Sequence, residues 1–279
     1  MNLVDEVFEE LEFRRLRENF KKVFTSEKID LEKKTNGVKS EIQKDNTRPT
    51  PLKQRYRANG KTMLRVNHLH SENISKKVQD KFLKNLKIDI PNYDLLVFSD
   101  FNYGCLPQQL VNGLIKIAKD NGVATAADSQ SSSQIGDIGR YEGMDFLFPT
   151  EHEARISLRN HDDGIVVLSQ KLAVATKAKN IILKLGSEGT LLHFDEGTGV
   201  NKTDRLAPIN LSPVDVAGAG DSMLISTMMS IVAGGNVWQS ACIGGVASAL
   251  QISRVGNIPL PVSYTHLRAH ETPEHRVCR

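Results

Sequence analysis

The middle of the chain alternates short apolar runs with amphipathic stretches. The apolar runs predict buried strands over residues 94–99, 123–128, 145–149, 180–185 and 189–195. Apolar positions at helical spacing predict helices over 107–121, 151–160, 165–178, 218–233 and 237–252. Strands that alternate with helices in this way predict an α/β fold built on a mainly parallel, helix-covered sheet.

The first part of the chain follows other patterns. Residues 1–47 are rich in Glu, Lys and Arg and predict an exposed amphipathic helix with a charged linker. Residues 49–67 predict a β-hairpin that turns at Asn59-Gly60. Lys53, Arg55 and Arg57 alternate along its first strand and share one face, which together with Arg65 could meet an anionic substrate or could simply be solvated.

Composition excludes several classes of protein. The formal charge of +3 over 279 residues gives no reason to expect a nucleic-acid partner, although residues 1–90 carry 21 Lys and Arg against 14 Asp and Glu. The three dispersed cysteines form neither a disulfide framework nor a C-x-x-C pair. No apolar run approaches the roughly 20 residues of a membrane helix. We therefore expect a soluble, cytoplasmic protein without a membrane partner.

The segment Asp215-Val216-Ala217-Gly218-Ala219-Gly220-Asp221 carries the strongest chemical signal. Its two glycines flank Ala219 where a loop becomes a helix, so that backbone N–H groups can approach an anion. Asp221 follows on the first helical turn, beside the place where a phosphate would lie. Taken alone, the segment indicates phosphate chemistry or close helix packing about equally.

Other polar residues follow the predicted strands. Asp100, Asp128, the 150–153 segment and the 184–189 segment should share one edge, because ligands of parallel sheets bind beyond the carboxyl ends of the strands. Asp100 and Asp128 could bind sugar hydroxyls or cap turns. The 184–189 segment could contact a nucleotide or form a simple turn. Glu151 and Glu153 could hold Mg²⁺ through water, or could be favoured there by the helix dipole.

These motifs together resemble the ribokinase-like (PfkB) carbohydrate kinases. The resemblance covers about residues 48–260 and rests on the segments 215–221, 184–189, 149–154, 99–102 and 48–50. The segments 149–155 and 57–65 resemble the heptose-phosphate kinase branch, the kinase half of the ADP-heptose synthesis enzymes. The chain departs from the pattern at Thr150, where Asn is usual, and at Tyr103, where the heptose branch tends to have Lys.

The resemblance implies a three-layer α/β sandwich that phosphorylates a sugar hydroxyl with Mg·ATP, such as that of heptose 7-phosphate. Asp221 would be the general base, and the amides of Gly218, Ala219 and Gly220 would form the anion hole. The hairpin would be a lid over the sugar, and lids of this family often contribute to homodimers. The implied nucleotide-binding residues are Thr150, Glu151, His152, Glu153, Lys184, Gly186 and Gly189, with Mg²⁺ reached through water from Glu153.

The ends of the chain depart from this family. Residues 1–47 contain only Gly37 and no glycine-rich, strand-led segment, so we expect the kinase domain at 48–260 to be incomplete. Residues 261–279 break the apolar pattern and predict a non-native tail. Two alternatives therefore stand beside a sugar kinase. They are a catalytically impaired nucleotide-binding fragment, and a nucleoside or other small-molecule kinase of the same fold.

Overall fold

The computed structural model describes residues 45–58, 61–131, 136–195, 197 and 199–256. The predicted N-terminal helix, the Asn59-Gly60 turn and the tail at 261–279 lie outside these ranges. The described chain divides into two compact units. The sheet unit comprises 45–186 and 190–205, and the helical unit comprises 187–189 and 206–256.

An antiparallel hairpin begins the sheet unit. It pairs β1 (Leu52–Ala58) with β2 (Lys61–His68) and confirms the predicted hairpin. Arg55 stands opposite Arg65 in the register and Tyr56 opposite Leu64, and a bulge follows Tyr56. Leu52, Tyr56 and Leu64 are each about half exposed, which leaves apolar surface on the hairpin.

A six-stranded sheet forms the body of this unit. Its strands lie side by side in chain order, and they are β3 (Leu95–Asp100), β4 (Ala124–Ser129), β5 (Phe146–Leu147), β6 (Asn180–Lys184), β7 (Thr190–Asp195) and β8 (Asn201–Leu206). β3 to β6 run parallel, whereas β7 runs antiparallel to β6. The predicted α/β fold with a mainly parallel sheet is therefore confirmed.

In the described part of the sheet unit, four helices accompany this sheet, namely α1 (Lys76–Asp89), α2 (Gln108–Asp120), α3 (Glu151–Leu158) and α4 (Ile165–Thr176). α2 buries Leu110, Val111 and Leu114, and α4 buries Leu168 and Leu172 in the same core. Both α3 and α4 end at a residue in the left-handed conformation, which breaks the helix there. Within the described residues, no helix is both long and apolar enough to span a membrane.

The helical unit is built on α5 (Ala219–Val232) and α6 (Val237–Ile252). A capping box between Asn236 and Gln239 starts α6. The two helices approach closely at Gly244, where an added Cβ would lie 2.8 Å from the Met223 carbonyl oxygen. Only a glycine fits this crossing.

The amino-terminal edge of the sheet is held by Asp145. Its Oδ2 accepts hydrogen bonds from the Thr125 amide (2.9 Å) and hydroxyl (2.8 Å), and its Oδ1 lies 2.7 Å from Lys179 Nζ. Burial alone would raise the pKa of Asp145, but the bonds from Lys179 and Thr125 outweigh it and hold the pKa below its ordinary value. This edge is structural, which leaves the opposite edge for ligands.

Stability should depend on pH through His193, which is buried on β7 with its Nδ1 2.9 Å from Thr203 Oγ1. Burial lowers the pKa of His193 below 6.5. At a pH between the pKa of His193 in the folded chain and its pKa in the unfolded chain, the unfolded chain therefore binds a proton at this residue and the folded chain does not. Above pH 6.5 His193 is neutral in both states and does not reduce the free energy of unfolding. The free energy of unfolding falls as the pH drops from 6.5 towards the lower pKa of the folded chain, by at most about 1.4 kcal/mol per pH unit.

Urea unfolding on both sides of pH 6.5 measures this dependence. We expect His193→Gln to remove its share of the slope, whereas His161→Gln, at an exposed loop position, should retain the whole slope. A slope that is the same in wild type and His193→Gln would contradict the assignment.

Candidate active site

A buried ion pair lies at the carboxyl edge of the sheet. Lys184, the last residue of β6, places its Nζ 2.7 Å from Oδ2 of Asp128 near the end of β4. The exposed side-chain fractions are 15% for Lys184 and 4% for Asp128. Because β5 lies between β4 and β6, this pair joins two strands that are not neighbours.

The start of α3 lies beside this pair. Thr150 forms an isolated parallel bridge with Lys184, and the Lys184 amide donates to the Pro149 carbonyl oxygen at 2.8 Å. Thr150 Oγ1 accepts from the Glu153 amide, and Glu153 Oε2 accepts from the Thr150 amide at 2.7 Å. This reciprocal capping box fixes the first turn of α3.

Glu153 also holds the loop that follows β4. Its Oε1 accepts a hydrogen bond from the Ser131 amide at 3.0 Å, and only 6% of the residue is exposed. One carboxylate thus ties the β4 loop to the start of α3. Glu151 differs, since its carboxylate pairs with Arg155 at 2.7 Å, and His152 is exposed on the same turn.

Asp100, at the end of β3, belongs to a buried polar cluster. Its Oδ2 accepts from Arg140 Nη1 (3.0 Å) and from the Tyr141 hydroxyl (2.8 Å), and its Oδ1 accepts from the Asn102 amide (2.8 Å). Burial, with a further contribution from Asp100, raises the pKa of Tyr141 above its ordinary value. Asp100 therefore caps the turn after β3, which is one of the two roles that the sequence allowed. Its other role, sugar binding, stays a prediction.

The loop after β3, residues 101–105, connects the hairpin to this edge. Asn102 has a φ of 58° and donates through its side chain to Ser129 Oγ and to the Gln130 carbonyl oxygen. Gly104 has a φ of 73°, and an added Cβ would lie 2.1 Å from the Glu72 carbonyl oxygen. The loop is thus fixed on one side to the strand ends and on the other to the chain that leaves the hairpin.

The turn after β6 contains both predicted glycines. Gly186 has a φ of 61° and its Cβ position faces open space. Gly189 belongs to the helical unit, has a φ of 88°, and its Cβ position lies 2.1 Å from the Leu206 carbonyl oxygen. Both positions favour glycine, but only Gly189 is also required by a close backbone approach.

In the helical unit, the segment that leads into α5 is held by the end of α6. Asp215 accepts hydrogen bonds from the amides of Ala217 (3.1 Å) and Gly256 (3.0 Å). Gln251 donates to the Ala217 carbonyl oxygen at 3.2 Å, and the amides of Val214 and Asp215 donate to the Ile252 carbonyl oxygen. The position of Gly218 therefore depends on the last turn of α6.

Gly218 is the N-cap of α5, with a φ of 80° that favours glycine. The Ser222 amide makes the first helical hydrogen bond, to the Gly218 carbonyl oxygen, so the amides of Gly220 and Asp221 have no helical acceptor. The Ala219 amide donates to the Val216 carbonyl oxygen at 3.3 Å. Asp221 is exposed on this first turn, where the helix dipole favours a carboxylate.

The donor set decides how Mg²⁺ could be held. Within the described residues, no group of three or more His, Cys, Asp or Glu side chains is arranged as a metal site. Each oxygen of Glu153 accepts one amide and retains a second lone pair for the hydrogen of a metal-bound water. The residues therefore fit a metal ion held mainly by water and substrate phosphates, as Mg²⁺ commonly is.

Comparison with known proteins identifies the family. The family model described as "pfkB family carbohydrate kinase" matches residues 24–263 of the chain. The chain belongs to the pfkB family of carbohydrate kinases. This match begins upstream of the 48–260 domain that the motifs outline.

Curated relatives in this family include two bifunctional proteins HldE. The one from Sulfurimonas denitrificans is 28% identical over 233 residues, which is 82% of this chain and 46% of that protein. The one from Campylobacter jejuni is 27% identical over 241 residues, which is 83% of this chain and 48% of that protein. The chain thus spans about half the length of the curated relatives it matches.

Solved structures support the same fold. The ribokinase from Giardia lamblia matches with a TM-score of 0.62 at 17% identity, covering 81% of this chain and 73% of that one. The Arabidopsis thaliana ribokinase complexed with ribose and ATP matches with a TM-score of 0.56 at 20% identity, covering 74% and 65%. The fold of this pfkB-family chain is therefore ribokinase-like.

The structure brings several predicted site residues of the kinase together. Within the sheet unit, Asp128, Thr150, Glu153 and Lys184 are linked at one edge. The backbone of Arg65 lies opposite that of Arg55 in the hairpin. The sequence did not indicate that Arg140 and Tyr141 bond to Asp100. Nor did it indicate the role of Arg48, whose guanidinium donates to the carbonyl oxygens of Glu72 and Tyr103. The available signal was the position of Arg140 close to the apolar residues Ile138, Tyr141 and Met144.

Replacing Lys184 with Met should lower the free energy of unfolding by roughly 3 kcal/mol, because the Asp128 carboxylate stays buried without its ammonium partner. Lys171→Met is the matched control, since Lys171 pairs with Asp163 at 2.6 Å but is 55% exposed. We expect that control to lose less than about 1 kcal/mol. Urea unfolding compares the two, and equal losses would contradict a special role for the buried pair.

Alanine at the two turn glycines should give unequal effects. Gly186→Ala should cost about 1 kcal/mol, the penalty of a left-handed conformation. Gly189→Ala should cost clearly more, because its Cβ would also overlap the Leu206 carbonyl oxygen. Thermal unfolding of both variants tests this order, and a Gly186 variant that is as unstable as the Gly189 variant would refute it.

Proposed function

We propose that this chain transfers the γ-phosphoryl group of ATP to a hydroxyl of a sugar or sugar phosphate, as a heptose 7-phosphate 1-kinase does. The observation that carries the proposal is the start of α5. There, Gly218 adopts a φ of 80°, the amides of Gly220 and Asp221 have no helical acceptor, and Asp221 lies exposed on the first turn. The similarity to HldE proteins favours a heptose phosphate as the acceptor.

In the proposed reaction, Asp221 accepts the proton of the attacking sugar hydroxyl. The hydroxyl oxygen bonds to the γ-phosphorus while the bond to the bridging oxygen breaks, and ADP leaves with that electron pair. The amides of Gly218, Ala219 and Gly220 donate to the oxygens on which negative charge develops. The Ala219 amide exchanges its 3.3 Å hydrogen bond to the Val216 carbonyl oxygen for this one. Asp221 lies beside these donors on the same helical turn, as the two roles require.

Nucleotide binding is proposed for the residues around the Lys184 and Asp128 pair. Thr150, Glu153 and Lys184 hold this edge together, Glu151 and His152 lie on the adjoining turn, and Gly186 and Gly189 shape the turn after β6. When bound, Mg²⁺ would neutralise phosphate charge, with Glu153 oriented towards its water ligands. Asp100 and Asp128 remain proposed contacts to sugar hydroxyls.

The hairpin is proposed to close over the sugar and exclude water, which limits hydrolysis of ATP. Its exposed apolar residues support contact with the hairpin of a second copy. Leu52, Tyr56, Met63 and Leu64 are 51, 52, 70 and 55% exposed. Such a surface is more typical of an interface than of a solvated hairpin. A cytoplasmic location, where ATP is available, stays a prediction.

The Asp221→Asn variant should lower kcat by about 10²- to 10⁴-fold, because the amide cannot accept the proton. Its melting temperature should change little, since Asp221 is exposed and the helix dipole stabilises an exposed carboxylate by at most about 1 kcal/mol. Asp162→Asn, an exposed loop position on the sheet unit, makes the same charge change elsewhere and should keep full activity.

Formation of ADP with heptose 7-phosphate as acceptor measures these rates. A wild type that binds ATP but transfers no phosphoryl group would overturn the proposal and leave the nucleotide-binding fragment. A preference for a nucleoside over every sugar tested would favour the small-molecule kinase instead.

A further inference from the structure

Lys53, on the hairpin, is held against two aromatic rings of the 101–105 loop. Its Nζ lies 4.7 Å from the ring centroid of Tyr103 and 5.2 Å from that of Phe101. The two rings stack on each other with centroids 6.1 Å apart and planes 17° apart. A lysine side chain is otherwise flexible, so the rings restrict where its ammonium group can be.

The stacked rings of Phe101 and Tyr103 form a platform, and the loop that carries this platform is itself fixed. Asn102 lies between the two rings in sequence and bonds to the strand-end residues Ser129 and Gln130. Arg48 donates to the Tyr103 carbonyl oxygen at 2.6 Å and to the Glu72 carbonyl oxygen at the same distance. The platform also follows Asp100 directly, at the carboxyl end of β3 where ligands of parallel sheets bind.

The Lys53 ammonium lacks an acidic partner within the described part of the chain, where no carboxylate lies in salt-bridge range of it. Ring faces attract a cation but accept no conventional hydrogen bond, so its three N–H donors can still bind an anion.

We propose that Lys53, placed by Phe101 and Tyr103, recognises a phosphate group already present on the acceptor. The inference deepens the proposed function, on which it rests, by naming the residue that selects sugar phosphates over neutral sugars. The rings act as a positioning device. They hold the ammonium group in place before the acceptor binds, so less side-chain entropy is lost on binding.

Isothermal titration calorimetry without ATP tests the proposal, with heptose 7-phosphate and the same heptose without phosphate as probes. Wild type should bind the phosphorylated sugar more tightly. Lys53→Gln should reduce that preference by about tenfold or more, the contribution of a charge-assisted hydrogen bond. Tyr103→Leu keeps the charge and removes one ring, and should reduce the preference by about threefold.

Lys76→Gln is the matched control, because it removes one positive charge from an exposed position on α1 and should leave the preference unchanged. Affinity for the neutral sugar should be the same in all four proteins. Equal losses for both sugars would show a structural role only, and would overturn the proposal. So would an undiminished preference in Lys53→Gln, or a wild type that does not bind the phosphorylated sugar.

Turnover with ATP is measured on the same proteins to separate the two proposals. A phosphate preference that depends on Lys53, without any phosphoryl transfer, would contradict the proposed kinase activity and support recognition by Lys53. Transfer to heptose 7-phosphate that is unaffected by Lys53→Gln would contradict the recognition alone.

Discussion

The ion pair between Lys184 and Asp128 is the interaction on which the candidate nucleotide edge depends. β5, which lies between β4 and β6, contributes only two residues to the sheet, and beyond it the backbone pairing is reduced to isolated contacts such as the bridge between Thr150 and Lys184. Those outer strands stand about 10 Å apart, two strand spacings. The long side chain of Lys184 spans this distance and joins the carboxyl end of β6 to that of β4. Thr150 and Glu153 then attach α3 and the β4 loop to the same point.

A second constraint links the hairpin to this edge through residues 101–105. Arg48 and Gly104 fix the loop to the two ends of the hairpin, while Asn102 fixes it to the residues after β4. Movement of the hairpin must therefore act on a loop that also contacts the strand ends. In the proposed reaction, closure of the hairpin over the acceptor would therefore also act on the strand ends at the candidate nucleotide edge.

Much of this fold could be predicted from the sequence because its strands and helices have clear apolar periodicity. α2, for example, is predicted at 107–121 and observed at Gln108–Asp120. The apolar pattern does not predict α1, because its sequence is rich in lysine and its core-facing residues, such as Phe82, are only partly buried. It does not predict β8, because the sequence NKTDRL is polar and exposed. β5 is shorter than predicted.

The candidate site was only partly predictable, for a different physical reason. The glycine turn before Asp221 is local in sequence, so its pattern could be recognised. Lys184 and Asp128 are 56 residues apart, and Arg140 and Asp100 are 40 apart. Which of these side chains meet depends on the order of strands and the path of loops, which residue spacing along one chain does not determine. Parallel strands indicated a shared edge but not its individual pairs.

Transfer of a phosphoryl group from ATP to a sugar is the activity that we propose for this chain. Its most direct test uses ATP labelled on the γ-phosphorus, incubated with the protein, Mg²⁺ and heptose 7-phosphate, with the products separated. We predict that the label appears in a heptose bisphosphate in equal amount to the ADP formed. Label found only in ATP and inorganic phosphate would contradict the claim.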